Sequence, residues 1–295
     1  MSARAWAAFA ALSVLWGTPY LLIKVSIEGG VPPPFVAWSR VVLGAAALLA
    51  FAWRAGVLAQ LRGRLRWLVA FAATEIAVPF LLIAIGEQHV DSSVAAIIIA
   101  AAPLFVALLA LRFDAAERAG GRRLVGLVVG LAGVIALVGI DVAGRADELF
   151  GAAAIIVSAF CYAAGPMILK RHLADIDARA SMGASLFVAA LLLAPAAAAA
   201  PPAAMPSGAA IVAVVALGLL CSAGGLVLFQ TLIAEIGPGR AIVVTYINPV
   251  VALAAGMAIL DERPGWGAVV GLLLILAGSY LATDVRSSPP REECR

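Results

Sequence analysis

Charge is scarce in this chain: only 13% of its 295 residues are Asp, Glu, Lys or Arg, where a soluble globular domain carries about 25%. With 64% hydrophobic residues and a mean hydropathy of +1.08, too few polar side chains remain to clothe a water-facing surface, which excludes a soluble globular fold. Histidine occurs twice and cysteine three times. Cys161 and Cys221 lie inside apolar runs, where a free thiol behaves as a small hydrophobe, so neither a disulfide framework nor a metal site follows and no cofactor is expected. The polar/apolar alternation that marks a spanning β-strand over roughly 10 residues is missing too. The apolar stretches instead run unbroken, and about 20 such residues cross a bilayer as a helix. The expected fold is an all-α integral membrane protein. A net charge of +3 and a pI near 9.0 do not indicate nucleic acid, because the basic residues sit in short loops between apolar runs.

Ten apolar stretches can be read along the chain, at about 5–27, 34–52, 67–86, 92–111, 124–140, 150–169, 180–200, 209–233, 241–260 and 266–282. Arg4 precedes the first, but that run exceeds the 7–15 residues of a signal-peptide core, so it reads as an uncleaved span. Ten spans place both termini on one side. With the N-terminus cytoplasmic, 16 of the 20 basic residues fall on cytoplasmic stretches, only Arg145 and Arg263 fall outside, and Lys24 and Arg40 lie within spans. Retention of positive charge inside therefore predicts cytoplasmic N- and C-termini. Trp6, Trp53, Trp67 and Trp266 sit at span ends, as interfacial anchors do.

The chain also resembles itself at an offset of about 145 residues. Lys24 maps onto Lys170, Pro103 onto Pro249, Glu117 onto Glu262, Gly126 onto Gly271 and Gly133 onto Gly278. Five spans per copy is odd, so the second copy enters from the opposite side. The expected architecture is two inverted five-helix repeats, 1–141 and 142–284, followed by a disordered polar tail, 285–295, and inverted repeats suggest alternating access. Glu117 and Glu262 read as carboxylates near the N-terminus of the span that follows each. Gly126-x-x-x-Gly130 and Gly267-x-x-x-Gly271 read as close helix contacts. Gly17-Thr18-Pro19, Pro103, Gly165-Pro166 and Asn248-Pro249 break helices inside four spans, leaving carbonyls that a polar cavity satisfies and lipid does not. These four spans are expected to border a central cavity, with Gly224-Gly225 as a further flexible point.

Two intramembrane charges have no counterpart in the second half. Glu75 lies roughly 12 and 16 Å from the two ends of its span at 1.5 Å per residue. Burying a charge there costs at least about 2.5–3.5 kcal/mol, which calls for a partner, a wet cavity or protonation and makes Glu75 a candidate for proton exchange. Pairing with Arg40 as structural glue is the alternative. Arg40, roughly 9 Å inside the external end of its span, either snorkels or offers a bidentate site for a carboxylate or phosphate. Lys24 either snorkels at a span end or touches substrate. Trp16, Tyr20, Trp38, Thr74, Gln230, Tyr246 and Asn248 complete the polar candidates for a midplane site.

Trp16-Gly17 followed by Lys24, Pro34-Phe35 leading to Arg40, then Pro103, Glu117, Gly126 and Gly133, and in the second copy Asn248-Pro249, Asp261-Glu262, Gly271 and Gly278, together resemble the EamA family of the drug/metabolite transporter superfamily over nearly the whole chain. The resemblance implies a ten-helix inverted-repeat carrier of the inner membrane, commonly an exporter of amino acids, related metabolites or amphipathic toxicants. Two features depart from the family pattern: span seven lacks an arginine, and Glu75 is unfamiliar.

The expected function is a secondary transporter exporting a small metabolite such as an amino acid, with Glu75 as proton carrier and Arg40 as ligand for an anionic group. No G-x-x-x-x-G-K-[ST] loop occurs and the loops are too short for an ATPase domain, so a gradient would drive it. A flippase for a lipid or lipid-linked sugar is the alternative. A membrane-embedded enzyme would need clustered ligands or a Ser–His pair, whereas His89 and His172 fall in loops on opposite faces. The expected partners are a small-molecule substrate, the bilayer and protons, with a homodimer left open.

Overall fold

The computed structural model describes residues 3–105, 108, 121–139, 145–236 and 244–283. Glu117, Arg112, Arg118, Arg240 and the tail 285–295 lie outside the described residues, as do the side chains of Pro166 and Lys170. Among the described residues the regular structure is entirely helical. Each apolar stretch read from the sequence is mainly helical over its described residues. Five runs are long and apolar enough to cross a membrane, Ala5–Glu28, Pro33–Arg54, Leu65–Gly86, Ala178–Ala199 and Gly208–Leu232, and four shorter apolar helices cover Ser92–Phe105, Leu124–Leu137, Tyr246–Ile259 and Trp266–Leu281. The remaining stretch is built from Ala146–Cys161 and Gly165–His172.

The interruptions fall where the sequence places its breakers, and they recur. Thr18 separates Ala3–Gly17 from Pro19–Glu28, with Pro19 at the first position of the new helix, where its missing N–H costs nothing. At the matching place in the second half, Tyr162–Ala164 separate Ala146–Cys161 from Gly165–His172. Two helices also widen to π-helical turns midway, over Ala72–Ala77 and Leu217–Gly224. The two segments stand at the same offset as the sequence landmarks, and such turns are enriched at functional sites.

Lipid tails give no hydrophobic drive for helix to meet helix, so close packing of small residues does the joining. Gly121–Leu137 and Trp266–Thr283 meet along a glycine seam: a β-carbon on Gly133 would fall 2.8 Å from the Ile275 backbone nitrogen, and one on Gly278 would run into Gly130 and Gly126. Pro33–Arg54 packs against Ala178–Ala199, where a β-carbon on Gly44 would sit 3.0 Å from Leu186 and one on Gly183 3.1 Å from Leu48. Outward faces remain apolar, with Ile135 71% and Leu273 63% exposed, as a lipid-facing surface requires. Trp6, Trp53 and Trp266 are exposed at helix ends. Trp67 instead stacks on His172 at 3.4 Å.

Polar ties hold both ends of the bundle. At one end the Lys24 ammonium donates to the carbonyls of Glu87 (2.9 Å) and Val90 (3.1 Å), and the Ser207 N–H donates to the Gly29 carbonyl. Glu262 corrects the sequence expectation. Its carboxylate accepts the backbone N–H of Ser92 (2.8 Å) and Ser93 (3.1 Å), so it caps Ser92–Ile99, a helix of the other half of the chain, in place of the span that follows it. Asp261, at φ 54°, takes the left-handed backbone that turns Glu262 toward that cap. At the other end Arg64 donates to the His172 carbonyl (2.7 Å) and pairs with Asp175, while the Asp177 N–H donates to Gln60 (2.7 Å).

Candidate functional site

The broken helices surround a cavity of about 220 Å³. Pro19, Pro103 and Pro249 all reach its wall, as the breakers predicted. Its surface is mostly aliphatic and aromatic, with Ile23, Ile76, Phe80, Ile99, Leu226 and Phe229 among the lining residues, and a few polar groups interrupt it: Trp16, Tyr20, Arg40, Glu75, Tyr162, Cys221, Ser222 and Asn248. Few polar groups set in an apolar concave surface is the usual composition of a small-molecule site.

Arg40, only 5% exposed, is held from two sides. Its Nε donates to Ser222 Oγ (3.1 Å), and its guanidinium carbon lies 3.9 Å from the centre of the Phe80 ring. The Ser222 hydroxyl, within the π-helical segment, itself donates to the Leu217 carbonyl (2.8 Å). The guanidinium thus has one neutral acceptor and an aromatic face. It forms no ion pair with Glu75 among the described residues, so structural glue between those two charges is not what the chain builds.

Glu75 sits within the other π-helical segment, over Gly165. A β-carbon at that glycine would fall 2.9 Å from the Glu75 β-carbon and closer still to its carboxylate, so the missing side chain of Gly165 makes room for the acid. Glu75 Oε2 has no hydrogen-bond partner among the described residues. Gln230 faces Glu75 across a second cavity of about 10 Å³, about the space one water needs. Its Nε2 donates to the Ile176 carbonyl (3.4 Å), while Oε1 has no partner among the described residues. Asn248 Oδ1 is buried without a partner in the same sense.

Trp16 Nε1 donates to the Cys221 carbonyl (3.2 Å), and its ring packs 4.7 Å from that of Phe229. A β-carbon on Gly225 would collide with this indole.

Of the residues expected at the site, Trp16, Tyr20, Arg40, Glu75 and Asn248 share the cavity wall, and Gln230 adjoins it through Glu75. Four do not line it. Lys24 spends its ammonium on the two carbonyls at the bundle end. Trp38 packs its ring on Phe35 at 5.4 Å. Thr74 Oγ1 donates to the Ala70 carbonyl of its own helix (2.8 Å), a local bond that short hydroxyl side chains favour. Tyr246 lies on Val244–Ile259 away from the wall. Sequence reasoning missed Phe80, Tyr162, Cys221 and Ser222. Of these only Cys221 carried a signal, since Glu75 maps onto Leu220 or Cys221 in the repeat. Among the described residues no three His, Cys, Asp or Glu side chains gather as a metal site would require.

The two halves each match one copy of the model of the EamA-like transporter family, at residues 4–139 and 149–283. The chain belongs to the EamA-like transporter family. It is 30% identical to an Escherichia coli K12 protein named an uncharacterized inner membrane transporter, YedA, over 92% of this chain and 90% of that one. A probable terminal-alkyne amino-acid exporter of Streptantibioticus cattleyicolor is also 30% identical, over 91% and 89%. A probable amino-acid metabolite efflux pump of Escherichia coli K12 is 25% identical over 91% of each chain. A solved crystal structure superposes with a TM-score of 0.68 over 96% of this chain and 97% of that one, at 20% identity, a likeness of fold. This EamA-like protein is accordingly a helical membrane protein of a transporter family, and the family and these relatives point away from an enzyme.

Proposed function

We propose that this EamA-like protein exports a small amphipathic metabolite, an amino acid with an apolar or aromatic side chain, through the Arg40 cavity by alternating access. The observation that carries the reading is Arg40: a buried guanidinium held by Ser222 and Phe80 at the wall of an aromatic-lined cavity, with a full positive charge and no carboxylate partner among the described residues. A substrate carboxylate completes it with charge-assisted hydrogen bonds. Glu75 and Asn248, on the same wall, present oxygens that accept from a substrate amine, and Tyr20, Tyr162, Trp16, Phe80 and Phe229 give an apolar side chain its surface.

In this reading the ten stretches are ten spans in two inverted repeats of five, with both termini cytoplasmic. The paired helix breaks, the paired π-helical segments and the two copies of the family match support the repeat, and the distribution of arginine supports the orientation. Glu75 carries the coupled proton. The names of two relatives, an amino-acid efflux pump and an amino-acid exporter, agree with the substrate class.

The test is uptake of labelled phenylalanine into everted membrane vesicles, with and without a pH gradient, beside flipping of a fluorescent phospholipid in proteoliposomes. Export predicts phenylalanine uptake that Arg40→Gln removes. Lipid flipping without phenylalanine uptake would replace this reading with a flippase.

A further inference from the structure

Glu87, the residue that follows Leu65–Gly86, has no role in the cavity chemistry above, yet it is 0% exposed. Neither carboxyl oxygen has a hydrogen-bond partner among the described residues. In such surroundings a carboxylate is far more costly than a neutral carboxyl. Its neighbours hold this end of the bundle together, called the mouth below. Lys24, from Pro19–Glu28, directs its ammonium at the backbone carbonyls of Glu87 and Val90 and makes no ion pair with the Glu87 carboxyl. Glu262, from the turn before Trp266–Thr283, grips the Ser92 and Ser93 amides. The short segment between these two ties therefore carries a buried acid beside a lysine already engaged elsewhere.

We propose that Glu87 is a proton-binding site of this mouth: neutral while the mouth is tied shut, and ionised as the partner of Lys24 once it opens. On opening, the Glu87 O–H bond breaks, the proton passes to water of the external solution, and the Lys24 ammonium exchanges its two carbonyl acceptors for the carboxylate. Closing reverses each change. That the mouth is external, and that it opens during a cycle, rests on the transport reading above.

Several charges face Glu87, and their balance sets the sign. Burial pushes its carboxyl well above the ordinary value. Lys24 on its neighbouring helix opposes this, Glu262 across the mouth adds to it, and Arg40 at the cavity wall opposes it. Tyr20, beside Lys24 on the same helix, also senses Glu87. Asp91, on the same segment as Glu87, is exposed, yet its carboxyl is also raised, first by desolvation and then by Glu262, with Lys24 opposing, Glu148 adding and Arg145 opposing. His89 packs against Phe150. Because the closed mouth holds the proton more tightly than the open one, it is favoured at acid pH and loosens as pH rises.

The test is hydrogen exchange at the backbone amides of Glu87–Ser93 in the purified full chain in nanodiscs, over a pH series and corrected for intrinsic exchange, so that opening is read without substrate. One coupled proton changes the open fraction by up to about tenfold per pH unit. Wild type is expected to show that rise. Glu87→Gln is expected to flatten it, and Glu87→Asp, which keeps an ionisable group, to retain it; size-exclusion profiles and melting temperatures report folding of both. A wild-type pH response in Glu87→Gln, or a flat response in Glu87→Asp that remains folded, would overturn the proposal by assigning the titration to Asp91 or to no carboxyl of the mouth. A protein whose mouth opens with pH in this way but which moves no phenylalanine would uphold the proton site and overturn the transport reading.

Discussion

Removing one hydroxyl, in Ser222→Ala, separates a guanidinium held for substrate from one that merely packs. The change deletes the 3.1 Å bond from Arg40 Nε and leaves the Phe80 contact at 3.9 Å in place. A hydrogen bond to a charged group is worth about 1.5–3 kcal/mol, and the ring contact about 0.5–2 kcal/mol. Arg40 therefore stays in the wall but loses its fixed direction. If the bond orients the guanidinium for a substrate carboxylate, its loss weakens apparent affinity by about 10- to 150-fold at about 1.4 kcal/mol per decade. Concentration-dependent uptake of labelled phenylalanine into everted vesicles reads this as a raised KM. The methyl ester, which lacks the carboxylate, supplies the control: it competes poorly with phenylalanine in wild type, and Ser222→Ala narrows that difference. A lowered melting temperature with unchanged KM and unchanged discrimination against the ester would refute the reasoning, because Ser222 would then serve stability alone.

Glu75→Gln keeps the shape of the side chain and removes its titration, so uptake should persist while its dependence on the pH gradient disappears; retained dependence removes Glu75 from coupling. Gly165→Ala drives a β-carbon into the Glu75 side chain, and overpacking of this kind costs about 1–3 kcal/mol, seen as a lower melting temperature together with lost uptake; a neutral effect on both contradicts the close approach. Glu262→Ala frees the Ser92 and Ser93 amides and should raise hydrogen exchange there more than in Gly121–Leu137. Asp177 is held below the ordinary carboxylate value by the Arg179 side chain, with burial opposing. The stability it contributes is present above that value, 3.8, and is lost as pH falls through the depressed one. Asp177→Asn should thus lower the melting temperature at neutral pH and converge with wild type in acid; a difference that persists in acid speaks against the ion pair as its cause.

Much of this architecture is legible because the bilayer constrains the chain so tightly. An apolar stretch must close its own backbone hydrogen bonds and so becomes helix, which is why the described parts of the stretches are mainly helical. Prolines at 19, 103 and 249 marked the cavity for the same reason, and Glu75 and Arg40 stood out because charges are rare at those depths. What escaped the sequence depends on direction and pairing. A serine in a helix usually satisfies itself locally, as Ser26 does on Leu22, so nothing in the letters distinguishes Ser222, which also receives Arg40. Thr74 neighbours Glu75 in sequence, yet its hydroxyl turns back to the Ala70 carbonyl. Lys24 left two readings open, snorkelling at a span end or touching substrate; in space its ammonium secures the end of the bundle. Glu87 went unread because it follows a span in a short segment assigned to a loop, and only packing shows that its own side chain is buried there. Glu262 was rightly linked to a helix N-terminus but to the wrong helix, since a cap across the two halves leaves no local pattern.

In the proposed transport cycle a substrate carboxylate meets Arg40 within this cavity. The most direct measurement of that contact is initial uptake of labelled phenylalanine into everted vesicles containing wild type or Arg40→Gln at matched folded protein levels, competed by unlabelled phenylalanine and by its methyl ester. Saturable uptake is expected in wild type, inhibited by the free acid and barely affected by the ester, with no saturable uptake in Arg40→Gln. Equal inhibition by acid and ester in wild type, or saturable uptake that survives the loss of Arg40, would contradict that expectation.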